Sequence, residues 1–247
     1  MEEHFSTGVA PRSAGIAWPG HHGRMPKDAP RRLRSALLDA LAVVAPTTCA
    51  GCGEHDRALC DTCAATLRPT VDEVDLDGLP VAYAHDYDGV VRSVLAAYKD
   101  GGRTDAGAHL APSLASAIAV ALRSTPSSGQ VHLVTVPSSR AAFRVRGYTP
   151  VGLLLQHVGL RAEPALRPRR QAADQSGLTA ASRLENRSGW LEPRGWVADR
   201  RVLLVDDILT TGATLLEARR ALASGGADLV GAAVLARTPR RHPGSGS

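Results

Sequence analysis

The chain reads as an α/β protein, a parallel sheet flanked by helices, with a small N-terminal four-cysteine module. Three features predict this. Residues 202–205 are a short unbroken apolar run and residues 131–136 a compact β-branched one, the signature of buried strands. The first run leads into a helix-length segment, a Gly225-Gly226 turn and a further apolar run at 229–236. Strand, helix, strand in that order implies a βαβ crossover and therefore parallel pairing. Finally, all four cysteines fall within fifteen residues, as Cys49-x2-Cys52 and Cys60-x2-Cys63.

Taken in order, residues 1–32 are rich in Gly, Pro, His and Arg without apolar period and read as a disordered basic leader. Residues 33–79 form the module, opening on a short helix whose Leu33, Leu37, Leu38 and Leu41 share a face and which ends before Pro46. The main domain covers 80–236. Its expected elements are a strand at 81–85, a helix at 89–98, a second helix at 107–122, a loop at 125–129 and the strand at 131–136. An arginine-bearing loop and a helix at 151–158 follow. Residues 167–183 are polar and arginine-rich and read as a mobile loop over a site. The last unit is a strand at 201–205, a loop at 206–212, a helix at 213–223 and a strand at 229–236. Residues 237–247 are a basic disordered tail.

With 247 residues, 44% of them hydrophobic, the chain can bury one moderate core plus a small appendage. No run reaches the roughly 20 apolar residues of a membrane span; the best, 36–45, carries Asp39. No membrane insertion is expected. Glu2 and Glu3 stand where an export signal is basic, so a cytoplasmic location is expected. The net charge of +5 sits in the ends, with six basic against three acidic residues in the first 34 and three arginines in the last eleven. The body is near neutral and lacks the continuous basic face of a dedicated DNA binder.

Two Cys-x2-Cys pairs seven residues apart suit two knuckles around one tetrahedral Zn²⁺, with Gly51 and Gly53 easing the turns. Metal binding would then supply the core that so small a segment lacks. Two disulfides or a redox pair are the alternatives. Both are disfavoured, because no export signal is seen and no thioredoxin-like pattern surrounds either pair. His55 reads as a solvated loop residue.

The most informative stretch is 202–214, where a buried strand delivers Asp206 and Asp207 to its carboxyl end and a small-residue turn opens a helix. Ligands of parallel sheets bind at that edge. Thr210, Thr211 and Thr214 offer hydroxyls, Gly212 permits close backbone approach, and the amides from Ala213 onward carry the positive end of the helix dipole. Together they form a monophosphate cradle. Two carboxylates beside a phosphate suit a sugar phosphate with a free diol, or Mg²⁺. The plainer reading, acids closing a strand and threonines capping a helix, explains single residues but not the whole string.

Residues 202–214 resemble the 5-phosphoribosyl-1-pyrophosphate (PRPP) motif of type I phosphoribosyltransferases. With the cysteine knuckles, residues 33–236 resemble the ComF family of competence-associated proteins. The resemblance implies that Asp206 and Asp207 hold the ribose hydroxyls while Thr210, Thr211, Gly212, Ala213 and Thr214 hold the 5-phosphate. It places Ser138, Ser139 and Arg140 in a pyrophosphate loop. Arg144 to Gly147 completes an RxRG pattern, but Tyr148-Thr149-Pro150 departs from the family's aromatic-Asn-Gln, and for the arginines of 140–170 the plainer reading is solvated surface, expected of one or two of them. Arg170, Gln175, Gly177, Leu178, Arg183 and Asn186 are similar to the family's flexible loop. Lys99 lies close to another short signature and reads equally as a ligand or as a solvated helix-end lysine.

The activity so implied is transfer of a phosphoribosyl group from Mg²⁺-bound PRPP to an unidentified acceptor with release of pyrophosphate, linked to DNA uptake or nucleotide salvage. Zn²⁺ is the structural cofactor and Mg²⁺ accompanies PRPP. Arg140 and Arg183 would support the leaving group and water exclusion, with Asp206 and Asp207 at the reacting sugar. The alternatives are a non-catalytic PRPP or nucleotide sensor working with DNA-uptake proteins, and a single-stranded DNA binder. The near-neutral body and sparse aromatics count against the last.

Overall fold

The computed structural model describes residues 48–55, 57–123, 129–138, 140–169 and 189–239. All lie in one compact unit, Ala45–Ser247; a second unit, Met1–Val44, falls outside the described residues. The leader, the helix expected from Leu33, most of the loops at 125–129 and 167–183, and nearly all of the tail are likewise outside them.

The elements run α1 (Asp61–Thr66), β1 (Asp72–Leu76), β2 (Leu79–Asp86), α2 (Gly89–Lys99), α3 (Gly107–Arg123), β3 (Val131–Thr135), α4 (Arg140–Arg146), α5 (Pro150–His157), β4 (Leu166–Pro168), β5 (Leu191–Pro193), β6 (Arg201–Leu209), α6 (Ala213–Ser224) and β7 (Asp228–Arg237). Five strands form one sheet in the order β1-β2-β7-β6-β3, and β4 and β5 pair as a small separate hairpin. β2, β7, β6 and β3 are mutually parallel, as the βαβ pattern requires, while β1 is antiparallel to β2.

Strand alternation divides the core in two. Ala82, Ala84, Leu203, Val205, Ala233 and Leu235 face the cluster built with α2, α3 and α5. Val81, Tyr83, Val202, Leu204, Ala232 and Val234 face the cluster shared with α6 and the β4–β5 hairpin. The consecutive Leu203 and Leu204, both fully buried, therefore serve opposite cores, each burial stabilising by about 2 kcal/mol. Among the described residues, one helical stretch, Thr104–Arg123, is long and apolar enough to cross a membrane. In this fold it is α3 and its lead-in, with Leu110, Leu114, Ala117 and Ile118 buried in the first cluster.

The β4–β5 hairpin was not expected, and its first strand takes up residues 167 and 168 of the segment read as a loop; three other elements also differ from the sequence expectation. Asp72–Leu76, an acidic stretch expected to belong to the cysteine module, is the antiparallel edge strand. Only its Leu76 is buried, and pairing with β2 rather than apolar content makes it a strand. The arginine-bearing loop contains α4. Most consequentially, β6 does not stop at Val205 but continues to Leu209. β7 extends equally far, so the ladder runs on through Asp206↔Val234, Ile208↔Ala236 and Leu209↔Arg237.

Candidate functional site

That continued ladder fixes the acid pair. Asp206 and Asp207 are adjacent residues of a paired strand, not of a loop, and both line a cavity of about 280 Å³. The Asp207 amide donates to Asp206 Oδ1 at 2.9 Å, and Lys99, the last residue of α2, brings its Nζ to 2.8 Å from Asp207 Oδ2. Lys99 is thus no solvated helix-end lysine. Burial pushes the Asp206 carboxyl up to about 7, and the Asp207 charge adds to this; the Asp207 amide and Lys99 pull it back.

Beyond Leu209 the chain turns through Thr210 and Thr211 into α6, with Gly212 as N-cap at φ 83°. A side chain is excluded there twice over. The left-handed backbone disfavours it, and a Cβ would sit 2.5 Å from Leu76 Cδ1. Glycine was expected to admit a ligand; its near neighbour is the end of β1. Arg219 of α6 strengthens the same junction by donating to the Asp77 carbonyl at 2.6 Å. The Ala213 amide points to Thr211 Oγ1 at 3.4 Å, whereas among the described residues no hydrogen bond engages the amides of Thr210, Thr211 or Gly212. Thr210, Thr211 and Thr214 are exposed. Hydroxyls and amides at a helix start are the donor set an anionic oxygen group needs.

The structure brings Lys99, Ser138, Asp206, Asp207 and Thr214 together on one cavity, with Thr210, Thr211, Gly212 and Ala213 on the adjoining turn. Arg140 opens α4. Its side chain, Ser139, Arg183 and the rest of the flexible-loop pattern from Arg170 to Asn186 lie outside the described residues.

Sequence reasoning missed further walls of the cavity: Thr135, Arg146, Pro150 and Trp190, and Thr149 for which no role could be assigned. Arg146 belongs to the RxRG segment but is not solvated surface, since its Nη2 donates to Asp100 Oδ1 at 2.8 Å. Tyr98 Oη donates to the Pro150 carbonyl at 2.8 Å, and Tyr148 Oη donates back to the Tyr98 carbonyl. These bonds seat the start of α5 against the end of α2, so Lys99 and Thr149 are set as a unit. Such long-range contacts leave no local signal.

The cysteines form a separate centre. Cys49, Cys52, Cys60 and Cys63 place their sulfurs within 4.8 Å of one another, and all are free thiols. Cys52 Sγ and Cys60 Sγ are 3.8 Å apart, the edge of about 3.8 Å that a tetrahedron with 2.3 Å metal–sulfur bonds has. Backbone N–H groups point at sulfur, Cys60 N to Cys49 Sγ at 3.3 Å and Gly51 N at 3.4 Å. Burial pushes the Cys49 thiol up, but the amides of Cys52, Cys60 and Gly51 outweigh it and bring it down to about 6. A Cβ at Gly51 would lie 2.6 Å from Cys63 Sγ, so glycine lets the knuckle close. His55 is exposed and not of this group. Arg103 ties the knuckles to the domain, donating to the carbonyls of Thr48 at 2.8 Å and Ala58 at 3.2 Å while paired with Asp105.

The acid pair, the turn and α6 all fall within a single family match: the model described as phosphoribosyl transferase domain covers residues 107–243, more than half of the chain. The chain belongs to this family. Similar curated proteins are the adenine phosphoribosyltransferases of Frankia alni, 38% identical over 122 residues, and of Mycobacterium tuberculosis H37Rv, 54% identical over 39 residues. The match spans 46% of this chain and 65% of the Frankia protein, and 16% of this chain and 18% of the mycobacterial one. Among solved structures, yeast adenine phosphoribosyltransferase, complexed with an imino-altritol bisphosphate and adenine, is 17% identical over 72% of this chain and 89% of its own, with a TM-score of 0.35. The Leishmania tarentolae adenine phosphoribosyltransferase is 12% identical over 68% and 94%, also at 0.35. Lys99 and the cysteine centre precede the part of the chain that this phosphoribosyl transferase match covers.

Proposed function

We propose that the chain is a phosphoribosyltransferase that takes Mg²⁺-bound PRPP as donor, passes its phosphoribosyl group to a nitrogen acceptor and releases pyrophosphate. The observation that carries this is the acid pair near the end of β6, facing a cavity and followed two residues later by a turn whose Thr210, Thr211 and Gly212 amides make no hydrogen bond among the described residues. In this reading Asp206 and Asp207 accept hydrogen bonds from the ribose diol, and Thr210 to Thr214 take the 5-phosphate. Ser138, on the cavity wall, would serve the leaving pyrophosphate, and the family resemblance alone assigns Arg140 and Arg183 to the same leaving group. The cavity's carboxylates are hard oxygen donors that suit Mg²⁺, which when bound would neutralise charge growing on the leaving oxygens. The names of the curated relatives make adenine the first acceptor to try.

The four sulfurs fit a structural zinc ion, whose coordination would stand in for the apolar core that residues 48–63 lack. A four-cysteine centre ahead of the transferase domain also supports a ComF-like role in DNA uptake or nucleotide salvage.

Calorimetry with PRPP and Mg²⁺ tests the donor site directly: the native chain is expected to bind and Asp206→Asn/Asp207→Asn to lose at least about tenfold in affinity. Pyrophosphate release with adenine, hypoxanthine and orotate then tests transfer. Binding without release from any acceptor favours the sensor reading; absence of binding ends both.

A further inference from the structure

The second core holds one acidic side chain that the phosphate turn does not explain. Glu217 of α6 is 4% exposed, yet it makes no contact with the cavity. Its Oε1 accepts the Leu191 amide at 2.9 Å, and the Gly189 amide is near enough to help hold the carboxyl down. Arg220 grips both carboxylate oxygens at 2.8 Å and donates to the Leu191 carbonyl at 3.0 Å. The Glu217–Arg220 pair therefore holds Leu191 at both its amide and its carbonyl, next to Trp190. The Trp190 carbonyl is held as well, by the Arg169 amide at 2.7 Å, and Trp190 is one of the residues that line the site cavity.

A buried carboxylate is costly to desolvate, and a leucine of similar volume could fill the same space. What a leucine could not do is set the backbone path from Gly189 to Leu191. The residues that hold that path sit on the same helix whose first turn closes the phosphate loop. Ionisation is secure at ordinary pH: burial pushes Glu217 up, but Arg220 and the two amides outweigh it and hold the carboxyl at about 2.

We propose that Glu217, braced by Arg220, is the positioning residue for Trp190, fixing the indole as one wall of the substrate cavity, an inference that rests on the cavity being the transferase site. Through α6 the phosphate turn and this wall are then parts of one rigid piece. Glu217 touches no reactant; it acts through the backbone beside Trp190.

The test uses the full chain with Trp18→Phe and Trp196→Phe, so that Trp190 is the sole indole. Glu217→Ala is expected to raise acrylamide quenching of Trp190 about twofold. It should lower kcat/KM for adenine-dependent pyrophosphate release about tenfold or more while the PRPP Kd stays within about twofold. Glu217→Gln keeps an acceptor oxygen for the Leu191 amide and should recover much of both effects. Should Glu217→Ala not fold, Glu217→Gln and Arg220→Ala supply the comparison, with Arg220→Ala raising quenching the more of the two. Unchanged quenching in these variants overturns the proposal, as does a PRPP affinity that falls in step with it, since that means general loosening of α6. If the parent chain binds no PRPP, the functional reading fails, while the quenching comparison still decides on Glu217.

Discussion

The ammonium of Lys99 stands 2.8 Å from the carboxylate of Asp207, closing the end of α2 onto the end of β6. Both side chains are largely shielded, at 21% and 15% exposure, so the pair is not a screened surface contact. Lys99 also pulls down the carboxyl of Asp206. Lys99→Met should therefore push Asp206 still higher, moving the pH midpoint of PRPP binding upward by about one unit and weakening binding about tenfold at neutral pH. Calorimetry at several pH values reads both; an unmoved midpoint counts against this role.

Asp206 carries a second expectation. Its ordinary value is 3.8 and burial beside Asp207 raises it to about 7. Between those values the folded chain holds a proton that the unfolded chain has lost, so this group makes stability fall as pH rises from about 4 to about 7. Ligand binding that needs the ionised carboxylate runs the opposite way and strengthens over the upper part of that window. Urea unfolding at pH 5 and pH 8, set beside PRPP affinity at the same pH, should show the two slopes. Asp206→Asn should flatten both.

Gly212→Ala places a Cβ on left-handed backbone and against Leu76. A loss of about 2 kcal/mol in unfolding free energy is expected, with weaker PRPP binding because the turn must shift. Adding Leu76→Ala relieves the contact but not the backbone strain, so thermal melting of the double variant should recover only part of that loss. Full recovery would place the whole effect in packing.

For the cysteine centre, metal analysis of the purified chain should find about one zinc per chain, and Cys60→Ser should abolish tight binding. Hydrogen exchange should then speed up across residues 48–63 before it does in the sheet. Arg103→Ala removes the donors to Thr48 and Ala58. It should speed exchange in the same segment with the metal still bound, and equal protection in that variant would argue against the tie.

What was legible in the sequence is what short-range chemistry determines. The parallel core could be read because runs such as Val202 to Val205 need burial on both faces, and the acid pair because strand, carboxylates and threonine turn are contiguous. The four cysteines announce themselves by spacing. The strand end was misplaced because Asp206 and Asp207 are poor strand formers on local grounds, and only pairing with β7 keeps them extended. β1 escaped notice for the same reason. Arg146, Thr149 and Trp190 are placed by Asp100, Tyr98 and Glu217, residues far off in the chain, so nothing in their own neighbourhoods marks them.

Leu76 and Lys99 both lie ahead of residue 107, where the family match begins. A fragment trimmed to that boundary would retain the acid pair and the threonines but surrender the brace behind Gly212 and the cation beside Asp207. The smallest piece that keeps this cavity whole has to begin upstream of Asp72, because β1, β2 and α2 brace the acid pair and the turn after it and are not an ornamental preface to them.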